Sequence, residues 1–224
     1  MQPAMGTLGE RLTAVRDRMA RAAAGARRDP AEITLLAVTK LFPAAAIREA
    51  YELGLREFGE NYVQELENKW PEVADLADAR FHLIGHLQSN KARKAAELFR
   101  VIQTVDSPKL ARRLNDAGRQ LDVMLEVKLS EEEANSGTDP AALAELIEAV
   151  RGCGNLRLLG LMTMPPWTED AEASRPYFRR LRELAERHGL RQLSMGMSHD
   201  REAAIEEGST CVRVGTALFG KRQP

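Results

Sequence analysis

The sequence predicts an α/β fold, a (β/α)8 TIM barrel with an extra N-terminal helix. Three observations lead there. Eight short apolar segments of strand composition alternate with amphipathic helical segments along the 224 residues, the pattern of a parallel sheet. No Gly-x-Gly-x-x-Gly turn follows the first strand, which weakens the competing doubly wound open sheet. No Pro/Gly/Ser-rich linker or break in composition divides the chain, so residues 1–224 read as one domain.

The first element is a helix over roughly Leu8 to Ala24, with Leu12, Val15, Met19 and Ala22 at helical spacing. It precedes the first strand, so it is placed to replace the helix that should follow the last one. Strands are expected at Ile33–Thr39, Glu57–Gly59, Phe81–Gly85, Val101–Val105, Asp122–Val127, Leu156–Met162, Gln192–Met197 and Cys211–Ala217. Helices are expected near Pro43–Leu53, Tyr62–Leu76, Ser89–Leu98, Pro108–Ala117, Pro140–Val150, Ala171–His188 and Arg201–Glu207. Ser89, Ser107-Pro108 and Asp139-Pro140 are start signals, because a short polar side chain caps free N–H groups and proline suits a first turn. Gly54, Gly118, Gly189 and Gly208 are stop signals.

Composition removes several function classes. With 32 basic and 33 acidic residues the chain carries no electrostatic footprint for nucleic acid or an anionic membrane. The arginine clusters Arg27-Arg28, Arg112-Arg113 and Arg179-Arg180-Arg182 fall on helices or their edges and read as solvated faces. Cys153 and Cys211 lack metal-ligand spacing, and two thiols suggest a reducing compartment without a disulfide framework. No apolar run is long enough to cross a bilayer. Met1 to Thr7 has neither a basic patch nor an apolar core of a secretory leader. A cytoplasmic protein is expected.

The chemistry starts at Lys40, which follows the first strand and precedes Leu41-Phe42-Pro43, where that strand must stop. Ligands in parallel α/β folds sit at the carboxyl ends of strands. An ammonium there is costly to bury unless paired or neutralised, and a lysine of depressed pKa attacks carbonyls. The bland alternative is a lysine that reaches solvent. Other strand ends bring Glu60, Asn61, His86, Gln88, Ser89, Asn90, Met162, Thr163, Ser194 to Ser198, Gly215 and Thr216 to the same face. Acids are scarce in that set, which argues against a paired-carboxylate hydrolase or a divalent-metal site. Barrels often bind phosphate with the loops after strands seven and eight. Gly215 would let backbone N–H groups approach an anion, while Ser198 and Thr216 add hydroxyls. Ser198 as an ordinary helix cap and Gly220 as an ordinary turn residue are the competing readings. Lysine and phosphate grip together describe a phosphorylated carbonyl ligand held as an imine, either a sugar phosphate in an aldolase or pyridoxal 5′-phosphate (PLP).

Six motifs in order separate these two. They are Leu-Leu-Ala-Val-Thr-Lys ending at Lys40, Phe58 to Glu65, His82 to Lys91, Gly160 to Pro166, Ser194 to Asp200, and Arg213 to Gly220. Together they closely resemble the pyridoxal phosphate homeostasis protein family (YggS in bacteria, PROSC or PLPBP in animals) over about Ile33 to Gly220. The resemblance implies a barrel like the amino-terminal domain of alanine racemase, of PLP fold type III, with PLP on the carboxyl-end face. Lys40 matches the Schiff-base lysine. Ser198, Gly215 and Thr216 match the phosphate positions, and Arg213 matches the residue facing the pyridine nitrogen. Asn61 and Met162 match residues near the ring. One departure lies in Glu133-Ala134-Asn135-Ser136-Gly137, where relatives commonly carry a lysine before the glycine.

A carboxylate opposite the ring nitrogen would keep PLP a strong electron sink. A guanidinium can only donate to an unprotonated nitrogen, which makes a poor general catalyst. Alanine racemases also use a tyrosine base from a further domain of the partner subunit, and Tyr51, Tyr62 and Tyr177 do not fall on predicted strand ends of the site face. The resemblance therefore implies a PLP carrier that stores, buffers or delivers the cofactor without turnover, with apo PLP enzymes as candidate recipients and a monomer as its expected state. A PLP-dependent racemase-like enzyme is the main alternative, followed by a Schiff-base aldolase and a plain scaffold. His86 is as compatible with a loop role as with a functional one. His82 reads as a hydrogen-bonded strand residue.

Overall fold

The computed structural model describes residues 6–130 and 136–220. Glu133 to Asn135 of the departing segment and Met1 to Met5 lie outside it. Strands β1 (Thr34–Val38), β2 (Glu57–Glu60), β3 (Arg80–Leu83), β4 (Val101–Val105), β5 (Leu121–Glu126), β6 (Leu156–Met162), β7 (Gln192–Ser194) and β8 (Cys211–Val214) alternate with helices. These helices are α1 (Leu8–Gly25), α2 (Ala44–Glu52), α3 (Val63–Val73), α4 (Ala92–Leu98), α5 (Pro108–Asn115), α6 (Leu143–Arg151), α7 (Arg175–Arg187), α8 (Arg201–Glu206) and α9 (Thr216–Phe219). Every strand pairs in parallel with the next, and β8 returns to β1 to close the barrel. Leu36 lies opposite Arg213 at that seam.

Alternation along each strand divides the side chains. Ala37, Phe58, Leu83, Ile102, Leu125 and Val212 face outward and pack with Ile47, Leu66, Leu114 and Phe178 of the helices in the main core. Leu36, Val38, Ile84 and Cys211 form a separate small cluster inside. That cluster leaves no spare room, because a Cβ on Gly59 would lie 3.1 and 3.2 Å from the side chains of Leu36 and Ile84.

The start signals work unevenly. Thr7 and Glu10 exchange reciprocal hydrogen bonds at the head of α1, and Ser107 accepts from Leu110 N at 3.4 Å. Asp139 caps a turn through Ala141 N at 2.7 Å, and α6 begins only at Leu143, later than Pro140. Ser89 opens a single 3-10 turn rather than capping, and the α-helix starts at Ala92. Among the described residues, only the four-residue α9 follows β8. As expected, α1 takes the missing flank: Arg18 pairs with Glu202 of α8 at 2.6 Å, and Arg11 donates to the Leu218 carbonyl.

Three expectations are corrected. The seventh strand ends at Ser194, not Met197, because Gly196 turns the chain at φ 91. Any other residue there would also place a Cβ 2.4 Å from that of Ala204. The eighth strand ends at Val214, and Thr216 to Phe219 wind into α9 despite their strand-like composition. The arginine clusters are not all solvated faces: Arg28 donates to the carbonyls of Ile205 and Ser209, and Arg179 and Arg182 pair with buried Glu207.

Candidate functional site

β1 delivers Lys40, half-buried, into a tight turn at the carboxyl end of the barrel. Both neighbours are tied down. Lys69, on the buried stripe of α3, donates to the Thr39 carbonyl at 3.0 Å, to Glu60 at 2.8 Å and to Glu65 at 2.7 Å. Thr39 Oγ1 donates to the same Glu60 oxygen at 2.7 Å, and Leu41 N donates to Glu65. Leu41 is held at φ 64, which costs a branched residue about 1–2 kcal/mol. Burial pushes the Glu60 carboxyl above the usual range, against the pull of Lys69 and Thr39.

The turns after β7 and β8 meet across a hydroxyl. Gly215 N and Ala217 N donate to Ser198 Oγ at 3.3 and 3.4 Å. Ser198 is therefore no helix cap: α8 starts at Arg201, after Asp200, whose carboxylate accepts from Met197 N at 2.6 Å. Two backbone N–H groups converge where Ser198 sits, and its own O–H has no acceptor among the described residues. Thr216, exposed at the first turn of α9, also makes no side-chain hydrogen bond there. An anionic oxygen arriving at this point would gain two amides and two hydroxyls. The loop touches the lysine turn directly. A Cβ on Gly215 would lie 3.5 Å from Val38, and the rings of Phe42 and Phe219 pack at 5.2 Å.

Arg213 lies deeper, two residues before Gly215 on the inner wall. Its guanidinium donates to Ser194 Oγ at 2.8 Å and to the Thr163 carbonyl at 2.9 Å. It forms no ion pair among the described residues, and burial lowers its pKa from the ordinary value, against the charges of Cys211, Asp200 and Glu126. A guanidinium stays charged even so.

Met162 is buried at the end of β6, just before Thr163. Asn61 stands at the end of β2, with no side-chain hydrogen bond among the described residues and its backbone so close to Gly85 that a Cβ there would lie 2.3 Å from the Asn61 oxygen. His86 is exposed, 3.5 Å from Asp106. His82 bonds Gln103 and Glu57 as a strand residue. Tyr62 precedes α3 as its cap residue and is 60% exposed. Acids are also less scarce than expected, since Glu126 ends β5 buried, accepts from Ser136 at 2.9 Å and is pushed up by burial. The Lys69–Glu60–Glu65 knot and Glu126 escaped sequence reasoning. Lys69 has one signal: it continues the spacing of Val63, Leu66 and Val73 along the face that α3 buries.

Comparison with known proteins assigns the class first. The family described as alanine racemase, N-terminal domain, matches residues 11–223. Alanine racemase from Corynebacterium glutamicum shares this fold at 18% identity and TM-score 0.66, over 94% of this chain and 61% of that one. The relatives then narrow it. The pyridoxal phosphate homeostasis protein of Pseudomonas aeruginosa is 50% identical over 97% of both chains, and that of Escherichia coli K12 is 43% identical over 97% of this chain and 98% of its own. PipY of Synechococcus elongatus PCC7942, solved with PLP bound, is 41% identical at TM-score 0.84, covering 96% of this chain and 100% of that one. The chain belongs to the pyridoxal phosphate homeostasis protein family.

Proposed function

We propose that this protein binds PLP at the carboxyl-end face of its barrel and serves PLP homeostasis in the cytoplasm by storing, buffering or delivering the cofactor without turnover of its own. The relatives' names and the PLP-bound PipY structure point to the cofactor, and the donor set of the site suits it. Bound PLP supplies an aldehyde on an electron-withdrawing ring. Lys40 offers the amine for the aldehyde carbon. Ser198, Thr216 and the amides of Gly215 and Ala217 offer hydrogen bonds to the phosphate, and Arg213 offers N–H groups to the ring nitrogen. Asn61 and Met162 border the ring. No helix among the described residues is long and apolar enough to cross a membrane.

The observation that favours a holder over a catalyst is the partner set of Arg213, a buried cation bonded to neutral oxygens only. A donor that never accepts cannot stabilise a proton on the ring nitrogen, so the ring stays a weak electron sink. Cofactor delivery requires recipients, for which apo PLP enzymes are the natural candidates, and we take the working unit to be a monomeric single domain over 1–224.

A spectrum of the purified protein with added PLP tests this. The band of covalently held cofactor should appear, vanish in Lys40→Ala, and decline when an apo PLP enzyme is added and gains activity. No uptake of PLP, or steady turnover across a panel of L- and D-amino acids, would overturn the proposal.

A further inference from the structure

Five side chains cross the barrel interior in one hydrogen-bonded line. Arg213 of β8 donates to Ser194 Oγ of β7 at 2.8 Å, and that hydroxyl donates to Gln103 Oε1 of β4 at 2.6 Å. Gln103 Nε2 stands 2.9 Å from His82 Nδ1 of β3, and His82 Nε2 stands 2.5 Å from Glu57 Oε2 of β2. Gln103, Ser194 and Arg213 are 1%, 0% and 3% exposed. The far end opens on a cavity of about 460 Å³ at the amino end of the barrel, where Glu57 and His82 meet Arg80, Asp122 and Arg157.

The chemistry gives this line one direction. A guanidinium only donates, so Ser194 Oγ must accept and send its single proton on to Gln103 Oε1. An amide that accepts at Oε1 presents its NH2 at the other edge, which makes His82 Nδ1 the lone-pair nitrogen. In the neutral tautomer that this leaves, His82 carries its proton on Nε2 and donates a hydrogen bond to Glu57, for which a carboxylate is the strongest acceptor. Glu57 suits that role: burial acts to raise its carboxyl, but the hydrogen bond from His82 and the neighbouring Arg80 guanidinium act against burial, and the carboxyl lies below the usual range. A cation at one end and a carboxylate at the other fix two rotamers and one tautomer between them.

Barrel interiors are ordinarily filled by branched apolar side chains. A buried polar line is tolerated only when complete, and then it rigidifies what it holds. We propose that Ser194, Gln103 and His82, anchored by Glu57, are positioning residues that hold Arg213 in the one orientation that aims its remaining N–H groups at the ring nitrogen of bound PLP. The inference rests on the cofactor reading given above.

The test compares two ligands, PLP and its 1-deaza analogue, in which carbon replaces the ring nitrogen. In Gln103→Leu, the preference for PLP over the analogue should fall about tenfold, the value of one buried hydrogen bond to a charged group. An unchanged preference, with or without a loss of affinity for both ligands, would overturn the positioning role. Should Gln103→Leu fail to fold, 15N NMR of the PLP-free wild type decides: at pH 8 His82 should be the Nε2–H tautomer, and a proton on Nδ1 refutes the line. A wild type that takes up neither ligand sinks the cofactor reading, while the His82 tautomer still reports separately on the line.

Discussion

Lys69 Nζ donates to the carbonyl oxygen of Thr39 at 3.0 Å, so a buried ammonium on α3 grips the residue just before Lys40. The same ammonium holds Glu65, which receives the N–H of Leu41 on the other side. Lys40 therefore extends from a peptide fastened at both flanks.

Lys69→Met should destabilise the protein by about 3–5 kcal/mol, because it leaves the buried Glu60 and the half-buried Glu65 without their cation. Urea unfolding of the PLP-free protein measures this. PLP uptake should weaken as well, since the Leu41 turn loses its clamp. A loss under about 1 kcal/mol would show that the knot contributes little.

Glu60 sets a pH dependence of definite sign. Burial raises its folded pKa, so its neutral form favours the folded state and its ionisation costs stability. That contribution is fully present below the ordinary carboxylate value and is lost as pH rises through the raised one. The thermal stability of the wild type relative to Glu60→Gln should thus be highest near pH 4 and decline toward pH 8. A margin that grows with pH would contradict the assignment.

Ser198→Ala removes the hydroxyl on which Gly215 N and Ala217 N converge. PLP should bind about tenfold more weakly, the worth of one charge-assisted hydrogen bond, with little change in melting temperature. Titration of the variant followed by absorbance checks this, and unchanged affinity would remove Ser198 from the phosphate grip.

Gly196→Ala should cost at least about 2 kcal/mol, the sum of a left-handed backbone and an overpacked Cβ. Its φ is 91, and the added carbon would meet Ala204 at 2.4 Å. Because Gly196 leads into Ser198, calorimetry should show the loss even without cofactor.

Much of the barrel was legible because buried parallel strands leave a compositional mark, as in Thr34–Val38 and Leu156–Met162. The link between Ser198 and Gly215 could be anticipated once both were placed on strand ends of one face. Boundaries failed where composition and backbone geometry disagree: Thr216 and Ala217 read as the end of the last strand, yet after Gly215 the chain turns into a helix. The buried polar groups were hidden for another reason. Gln103 lies amid Val101–Val105, and Lys69 lies among charged neighbours on α3. Each is explained only by partners far away in sequence, which no local pattern reports.

The seam between β1 and β8 has a consequence for biosynthesis. Thr34 pairs with Cys211, and α1 finds its companions in α8 and α9. α1 and β1 leave the ribosome before α8, β8 and α9 and must wait for them. Throughout translation Leu8, Leu12, Val15 and Met19 lack their final cover, and β1 presents an open edge. Such an edge invites pairing with other chains. A transcript cut short before Cys211 would release an unclosed sheet, a species for quality control to capture rather than a smaller working protein.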